Sequence, residues 1–171
     1  IVWLVSGMSP PTFIKRILQP LFTALLTSSS ATTIPVSMIA AEKELGVDRA
    51  KASFVLPLGA TANMDGTALF EGIAAIYLAY MFGIDLGSTE IITVFLISML
   101  SSIGAPGMPS GSMAGMQLVL LAVGIPLEAI ALLLLIERPL DTFRTAVNVE
   151  GDLAGCLVVE HFMSGEEKAT S

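Results

Sequence analysis

Gly104-Ala-Pro-Gly-Met-Pro-Ser-Gly-Ser112 lies in the middle of a run, Ile91 to Leu127, that contains no Asp, Glu, Lys, Arg or His. An apolar helix needs about 20 residues to cross the hydrocarbon core of a bilayer, and the Pro and Gly residues split this run into two arms that each fall short. Two short arms, joined by a turn whose backbone amides lipid cannot satisfy, read as a re-entrant hairpin with its tip buried in protein at membrane depth.

The rest of the composition points to the same solvent. Mean hydropathy is +0.82, with 54% hydrophobic and only 13% charged residues, where a soluble domain carries about a quarter charged residues. A net charge of −7, with no basic stripe or aromatic-interleaved Lys/Arg cluster, argues against a nucleic-acid partner. Cys156 has neither a disulfide partner nor a metal-ligand neighbourhood and reads as a small helix-packing residue. The first residues, Ile-Val-Trp-Leu-Val-Ser, lack a starting Met and a basic flank. They read as the end of an earlier membrane helix, so the chain is expected to be the C-terminal part of a longer protein.

Upstream of the opening run, Ile14 to Leu26 has a short apolar helix pattern that ends at the hydroxyl-rich stretch Thr27-Ser-Ser-Ser-Ala-Thr-Thr-Ile-Pro35. A helix then resumes over Val36 to Leu45, giving a second short-armed hairpin. Ala52 to Met81 is apolar and longer than one crossing, but Asn63-Met-Asp-Gly-Thr67 interrupts it, which predicts a broken helix. Ala129 to Phe162 is apolar at first and then carries Asp141, Arg144, Thr145, Asn148 and Asp152. The order is hairpin 1 (about 13–45), broken helix (about 50–82), hairpin 2 (about 90–125), last helix (about 128–162), then a polar tail over 163–171 that need not fold. The expected fold is an all-α membrane protein, with two re-entrant hairpins, one broken and one amphipathic transmembrane helix in an inverted-repeat arrangement. Paired interrupted segments in corresponding halves point to a binding site near the bilayer midplane.

Asp141, Arg144, Asn148 and Asp152 are spaced to share one helix face. Two readings fit Asp141 and Arg144. One is a salt bridge that holds helices together; the other is a ligand site, with a guanidinium fork for a carboxylate and an anion for an ammonium group. A ligand bearing both charges, such as an acidic amino acid, matches the second. A carboxylate at membrane depth marks a functional position unless it is paired. Asp65 with Asn63, and Asp152 with Asn148, offer oxygen sets for a monovalent cation, and a broken helix adds free carbonyls. Glu71, in an apolar stretch, reads equally as a proton carrier or an inert hydrogen-bonding group. Glu137 and Arg138 read first as a local charge pair and second as part of a gate.

Four segments carry a resemblance: Ser28-Ser-Ser-Ala-Thr32 with Pro35, Leu56-Pro-Leu-Gly-Ala-Thr-Ala-Asn-Met-Asp-Gly-Thr-Ala-Leu69, Ser102-Ile-Gly104, and Asp141 through Arg144-Thr145 to Asn148-Val-Glu-Gly-Asp152. Over about Thr12 to Phe162 the chain resembles the sodium-coupled glutamate, aspartate and neutral amino acid transporters, also called dicarboxylate/amino acid:cation symporters. The resemblance implies that 1–162 is the C-terminal part of a transport domain, whose N-terminal scaffold domain is not in this chain. It implies a multi-pass protein of the plasma (cell inner) membrane, homotrimeric when full length, that moves substrate and Na+ by an elevator-like motion gated by hairpin 2. By position, Arg144 takes the side-chain carboxylate of the substrate, Asp141 its amino group, and Asn148, Thr67 and Thr145 the remainder. Ser28, Ser29 and Ser30 close from one tip and Gly107, Met108 and Pro109 from the other. Gly59, Asn63, Asn148 and Asp152 form one sodium site, Thr61, Met64, Ser102, Ile103 and Ala105 a second, and Asn63 with Asp65 part of a third. Glu137 stands where many members have Asp, and Glu71 matches the proton carrier of proton-coupled relatives.

Within that family, neutral amino acids and C4 dicarboxylates are alternative substrates. Outside it, an intramembrane aspartyl hydrolase using Asp65 with Asp141 or Asp152, and an ion channel, are the competing classes. The first lacks a Gly-x-Gly-Asp context, and the second leaves Arg144 without a purpose.

Overall fold

The computed structural model describes residues 1–105 and 107–170, with side chains through Ser164. Pro106, part of the expected second tip, falls outside them. Every regular element among the described residues is helical: α1 (Val2–Ser6), α2 (Pro10–Arg16), α3 (Leu18–Thr27), α4 (Ser30–Lys43), α5 (Arg49–Ala62), α6 (Asp65–Met81), α7 (Ser88–Ile103), α8 (Ser112–Ala122), a 3₁₀ turn at Leu127–Ala129, and α9 (Ile130–Thr170). None of the described helices is both long and apolar enough to cross a membrane on its own.

Local chemistry sets most of these ends. Pro10 and Pro11 open α2, where a missing N–H costs nothing. Asp48 caps α5 by accepting from the N–H groups of Ala50 and Lys51, at 2.9 and 3.3 Å. The break between α3 and α4 is narrower than the hydroxyl run suggests. Ser28 turns the chain in the left-handed region at φ 50°, and Ser29 caps α4 by accepting from Thr32 N–H. The expected helix start at Val36 is therefore corrected to Ser30, and Pro35 lies inside α4, where it removes one backbone hydrogen bond. The broken helix lies where the sequence predicts it. Asn63 (φ −105°, ψ 79°) and Met64 (φ −112°, ψ 52°) leave helical geometry between α5 and α6. At the other end of the chain, α9 continues through the polar stretch after Phe162 to Thr170.

α9 is the spine, packed along its length by α1, α3, α4, α5 and α6. Two apolar clusters grip it at different levels. Phe13, Ile17, Ala24, Leu56 and their neighbours enclose Val149, Leu153, Cys156 and Leu157, and Cys156 is fully buried there as a packing residue. Leu78, Val94, Met116, Val119 and Leu120 of α6, α7 and α8 enclose Leu133 near the start of α9. Between the clusters α9 buries Glu137, Asp141, Arg144, Thr145, Asn148 and Asp152. The outside is the reverse: Trp3, Phe54, Tyr80, Phe95, Leu135 and Phe143 all point outward. Large exposed apolar area marks a surface built for something other than water.

Two backbones approach closely at Gly66, where a Cβ atom would lie 2.5 Å from the carbonyl oxygen of Arg144. Neither chain can yield there by rotating a side chain. Gly72, one turn and a half further along α6, has 3.7 Å to its nearest neighbour, the Ser98 hydroxyl. We expect Gly66→Ala to destabilise the protein by about 1–3 kcal/mol through overpacking, while Gly72→Ala is neutral or stabilising. Thermal unfolding of the detergent-solubilised variants checks this contrast; equal shifts for the two would remove the backbone contact as the cause.

Candidate functional site

The buried polar face of α9 meets the break in α5–α6 first. Asn148 Oδ1 accepts from Gly66 N–H at 2.8 Å, and its Nδ2 lies 3.1 Å from Met64 Sδ and 3.4 Å from Thr67 Oγ1. Asn63 Nδ2 donates to Asp152 Oδ1 at 2.9 Å and to the Asn148 carbonyl at 3.3 Å. Gly59 packs so closely on Asp152 that a Cβ there would overlap its carboxylate. The four residues Gly59, Asn63, Asn148 and Asp152 therefore converge. The Asn63 amide nitrogen sits between a carboxylate oxygen and a main-chain carbonyl. Gly59, Asn63, Asn148 and Asp152 together offer carbonyl, amide and carboxylate oxygens, the donor type a hard cation takes. The described residues contain no cluster of three or more His, Cys, Asp or Glu side chains that could hold a metal ion.

Asn63 and Asp65 also lie together, since a Cβ on Gly151 would fall 2.6 Å from Asn63 Nδ2 and 3.3 Å from Asp65 Oδ2. Asp65 itself is exposed on this chain at the start of α6. Glu150 joins Asn63 and Asp65 along the same open groove, beside α1 and α2. Of the remaining expected ion ligands, Met64, Ser102 and Ala105 are buried, whereas the side chains of Thr61 and Ile103 are exposed. Thr61 Oγ1 is spent on the Leu58 carbonyl at 3.0 Å, and Ser102 Oγ on the Met99 carbonyl at 2.9 Å. Both hydroxyls keep their oxygen lone pairs, so side-chain as well as main-chain oxygens stay open to a cation at those positions.

The two tips meet over α9. Gly107 O accepts from Ser29 Oγ at 2.9 Å and from Ala31 N–H at 3.2 Å. Beneath this contact lies a small polar cavity walled by Ser28, Ser30, Met64, Thr67, Met108, Asp141, Thr145 and Asn148, together with Gly107, Gly111 and Ser112. Its free space is about 10 Å³, room for about one water. Thr145 lines it while its hydroxyl donates to the Asp141 carbonyl at 2.8 Å. Ser29 lies just outside, committed to the tip contact and the α4 cap. Ser112, which the sequence reading left out, adds a buried hydroxyl without a partner. Pro109 lies in the turn beside Met108 and is not part of the cavity wall.

Arg144 stands behind the cavity, 5% exposed, with its guanidinium carbon 4.1 Å from the centroid of the Phe70 ring. One nitrogen, Nη2, donates both to Asp141 Oδ1 at 2.7 Å and to Glu137 Oε1 at 3.0 Å. Nε and Nη1 are buried without partners. The Asp141–Arg144 pair thus forms within α9 and leaves most of the fork unused. Glu137 pairs with Arg144 and not with Arg138, which correspondingly lies out at the surface, 3.9 Å from Asp141. The expected Glu137–Arg138 pair is corrected, because residues seven apart on a helix return to the same face while adjacent ones diverge. Glu71 is fully buried between the arms α7 and α8: Ser101 Oγ donates to its Oε2, and its Oε1 sits against Gly115.

Residues 1–162 match the sodium:dicarboxylate symporter family. The chain belongs to that family. It is 46% identical to excitatory amino acid transporter 2 of Homo sapiens over 166 residues, 97% of this chain and 29% of that protein. With an excitatory amino acid transporter of Caenorhabditis elegans it shares 42% identity over 97% of this chain and 33% of that one, and with excitatory amino acid transporter 4 of Rattus norvegicus 44% over 97% and 30%. The chain spans roughly a third of the length of these curated relatives. The family is one of transporters, not enzymes, so the aspartyl hydrolase alternative falls.

Proposed function

We propose that this symporter-family chain forms the ligand- and ion-binding part of a membrane transporter that moves an acidic amino acid, aspartate or glutamate, together with Na+. The observation that carries the reading is Arg144, a buried guanidinium with Nε and Nη1 unpartnered, beside Asp141 in the wall of a cavity closed by both tips. Buried donors left without partners cost free energy that a carboxylate ligand repays. Asp141 then accepts the ammonium group, and Thr67, Thr145 and Asn148 face the rest of the ligand, with Ser28, Ser30, Gly107 and Met108 above it. An amino acid is larger than the space now present, so the tip around 107–112 moves to admit it. That makes the α7–α8 hairpin the gate, with α3–α4 its counterpart as the second re-entrant hairpin.

The inside-out polarity supports a multi-pass plasma-membrane protein. Short helices such as α3, α4, α7 and α8 serve as re-entrant arms, and the chain travels as part of an elevator-like domain of a homotrimer. Na+ is the coupling ion, held by Asn63, Asp152 and the carbonyls of Gly59 and Asn148. Main-chain oxygens of Thr61, Ser102, Ile103 and Ala105, with Met64, form a second place for it, and Asn63 with Asp65 a third. Glu71, enclosed by both arms of the gate, carries a proton.

Each assignment has its own measurement, made by uptake into vesicles containing the full-length protein. Arg144→Cys should abolish aspartate uptake and admit neutral amino acids such as serine; retained aspartate affinity would exclude Arg144 as the carboxylate receptor. Asp152→Asn, which keeps the shape and removes one charge from the cation set, should raise the Na+ concentration for half-maximal uptake by about tenfold or more. An unaltered Na+ requirement would dissociate Asp152 from coupling. Glu71→Gln should leave Na+-driven uptake insensitive to pH across the acid-to-neutral range, and a pH dependence identical to that of the parent protein would refute proton carriage by Glu71.

A further inference from the structure

Ser110 lies on the turn before α8, in the left-handed region at φ 62°. From there it reaches both carboxylates that flank Arg144. Its N–H donates to Asp141 Oδ2 at 3.0 Å and its hydroxyl to Glu137 Oε2 at 3.1 Å. The other oxygens of the same carboxylates, Asp141 Oδ1 and Glu137 Oε1, both accept from Arg144 Nη2. The four residues thus close a ring, Ser110–Glu137–Arg144–Asp141–Ser110, with Glu137 3% and Asp141 6% exposed.

The ring contains the two halves of an acidic amino acid. A carboxylate, Glu137, sits on the guanidinium, and an N–H donor, Ser110, sits on the acceptor Asp141. We propose that Glu137 and Ser110 together are an internal mimic of the ligand, which occupies its two charge-recognising groups while the tip is closed, and that the Ser110 hydroxyl is a specificity-determining group because it ties the two halves together. A ligand with both a carboxylate and an ammonium group displaces both halves at once. A ligand with only one of them displaces its own half against the pull of the other, through the Ser110–Glu137 bond. Discrimination against plain dicarboxylates and neutral amino acids is then built into the closed site. The inference rests on the transport reading above and adds to it the means of selecting a zwitterion with an extra carboxylate.

The hydroxyl can be removed without moving the backbone. Ser110→Gly keeps the N–H donor and tolerates the positive φ, so it breaks only the tie between the halves. In vesicles of the full-length protein, radiolabelled aspartate uptake is competed with unlabelled aspartate, succinate (no ammonium group) and serine (no side-chain carboxylate). We expect S110G to bring the inhibition constants of both succinate and serine about tenfold closer to that of aspartate, the loss of one hydrogen bond to a charged group. Ser110→Asn, which accepts the left-handed backbone and restores a donor, should return the ratios toward the parent values. Glu137→Gln weakens both the half that sits on Arg144 and the Ser110 tie, so succinate, which gains from both, should gain more than serine, which gains from the tie alone; this decides the question even if S110G fails to fold. Unchanged ratios in S110G, or a serine gain equal to that of succinate in E137Q, overturn the mimic. Parent protein that takes up no aspartate overturns the transport reading itself, and uptake with unaltered S110G ratios overturns only this inference.

Discussion

The Gly66 N–H bonded to Asn148 Oδ1, with the Asn63 amide bridging Asp152 and the Asn148 carbonyl, fixes the rest of the molecule. A helix interrupted in an apolar surrounding exposes backbone donors and acceptors that cost several kcal/mol each if left bare. Here the interruption is docked against α9, so its amide and side-chain groups are answered by Asn148 and Asp152, about one turn of α9 apart, in a single contact. That docking requires a bare backbone at 66, and it brings Thr67, Met64 and the cation-suited oxygens to the same level of α9 as the Asp141–Arg144 pair. The proposed ion set and the proposed ligand set share Asn148, one side chain that contacts Gly66 on one side and lines the cavity on the other.

The two apolar clusters leave this level alone. One grips α9 around Leu153 and Cys156, the other around Leu133, and neither covers the polar turns between them. Rigid packing at both ends holds the side chains of the middle in place, which a binding site needs more than it needs tight packing of its own. The two tips close over that middle through a few bonds to one carbonyl, Gly107 O. Ser110 of the same segment adds bonds to Asp141 and Glu137, so polar contacts and not an apolar cluster hold this tip on α9.

Much of this was legible in the sequence for a physical reason. Polar and helix-breaking residues in an apolar run are conspicuous, so Asn63–Thr67 and Gly104–Ser112 declare themselves as the break and the tip. The helical spacing of Asp141, Arg144, Asn148 and Asp152 likewise announces a face, and all four are buried. Three things were hidden. The start of α4 lies within the hydroxyl run because Ser29 can cap a helix as well as interrupt one, and composition does not distinguish the two uses. The partner of Glu137 is seven residues away and not adjacent, which only the helix geometry reveals. The part played by Ser110 depends on a left-handed backbone in a segment whose Pro and Gly content predicts a turn but not its direction.

The ring around Arg144 also explains why a hydroxyl and not a charge can link the gate to the site. Asp141 and Glu137 are already faced by Arg144 and by Arg138, 3.9 Å from Asp141, so a further charge of either sign from the tip would unbalance a buried set. A neutral donor bonded to a carboxylate contributes about 1.5–3 kcal/mol. That is enough to separate ligands by an order of magnitude or more, and small against the combined contacts of an amino acid that satisfies Arg144 Nε and Nη1 as well. On the proposal, the tip therefore stays closed against an unsuitable ligand and yields to one that replaces both halves of what it holds.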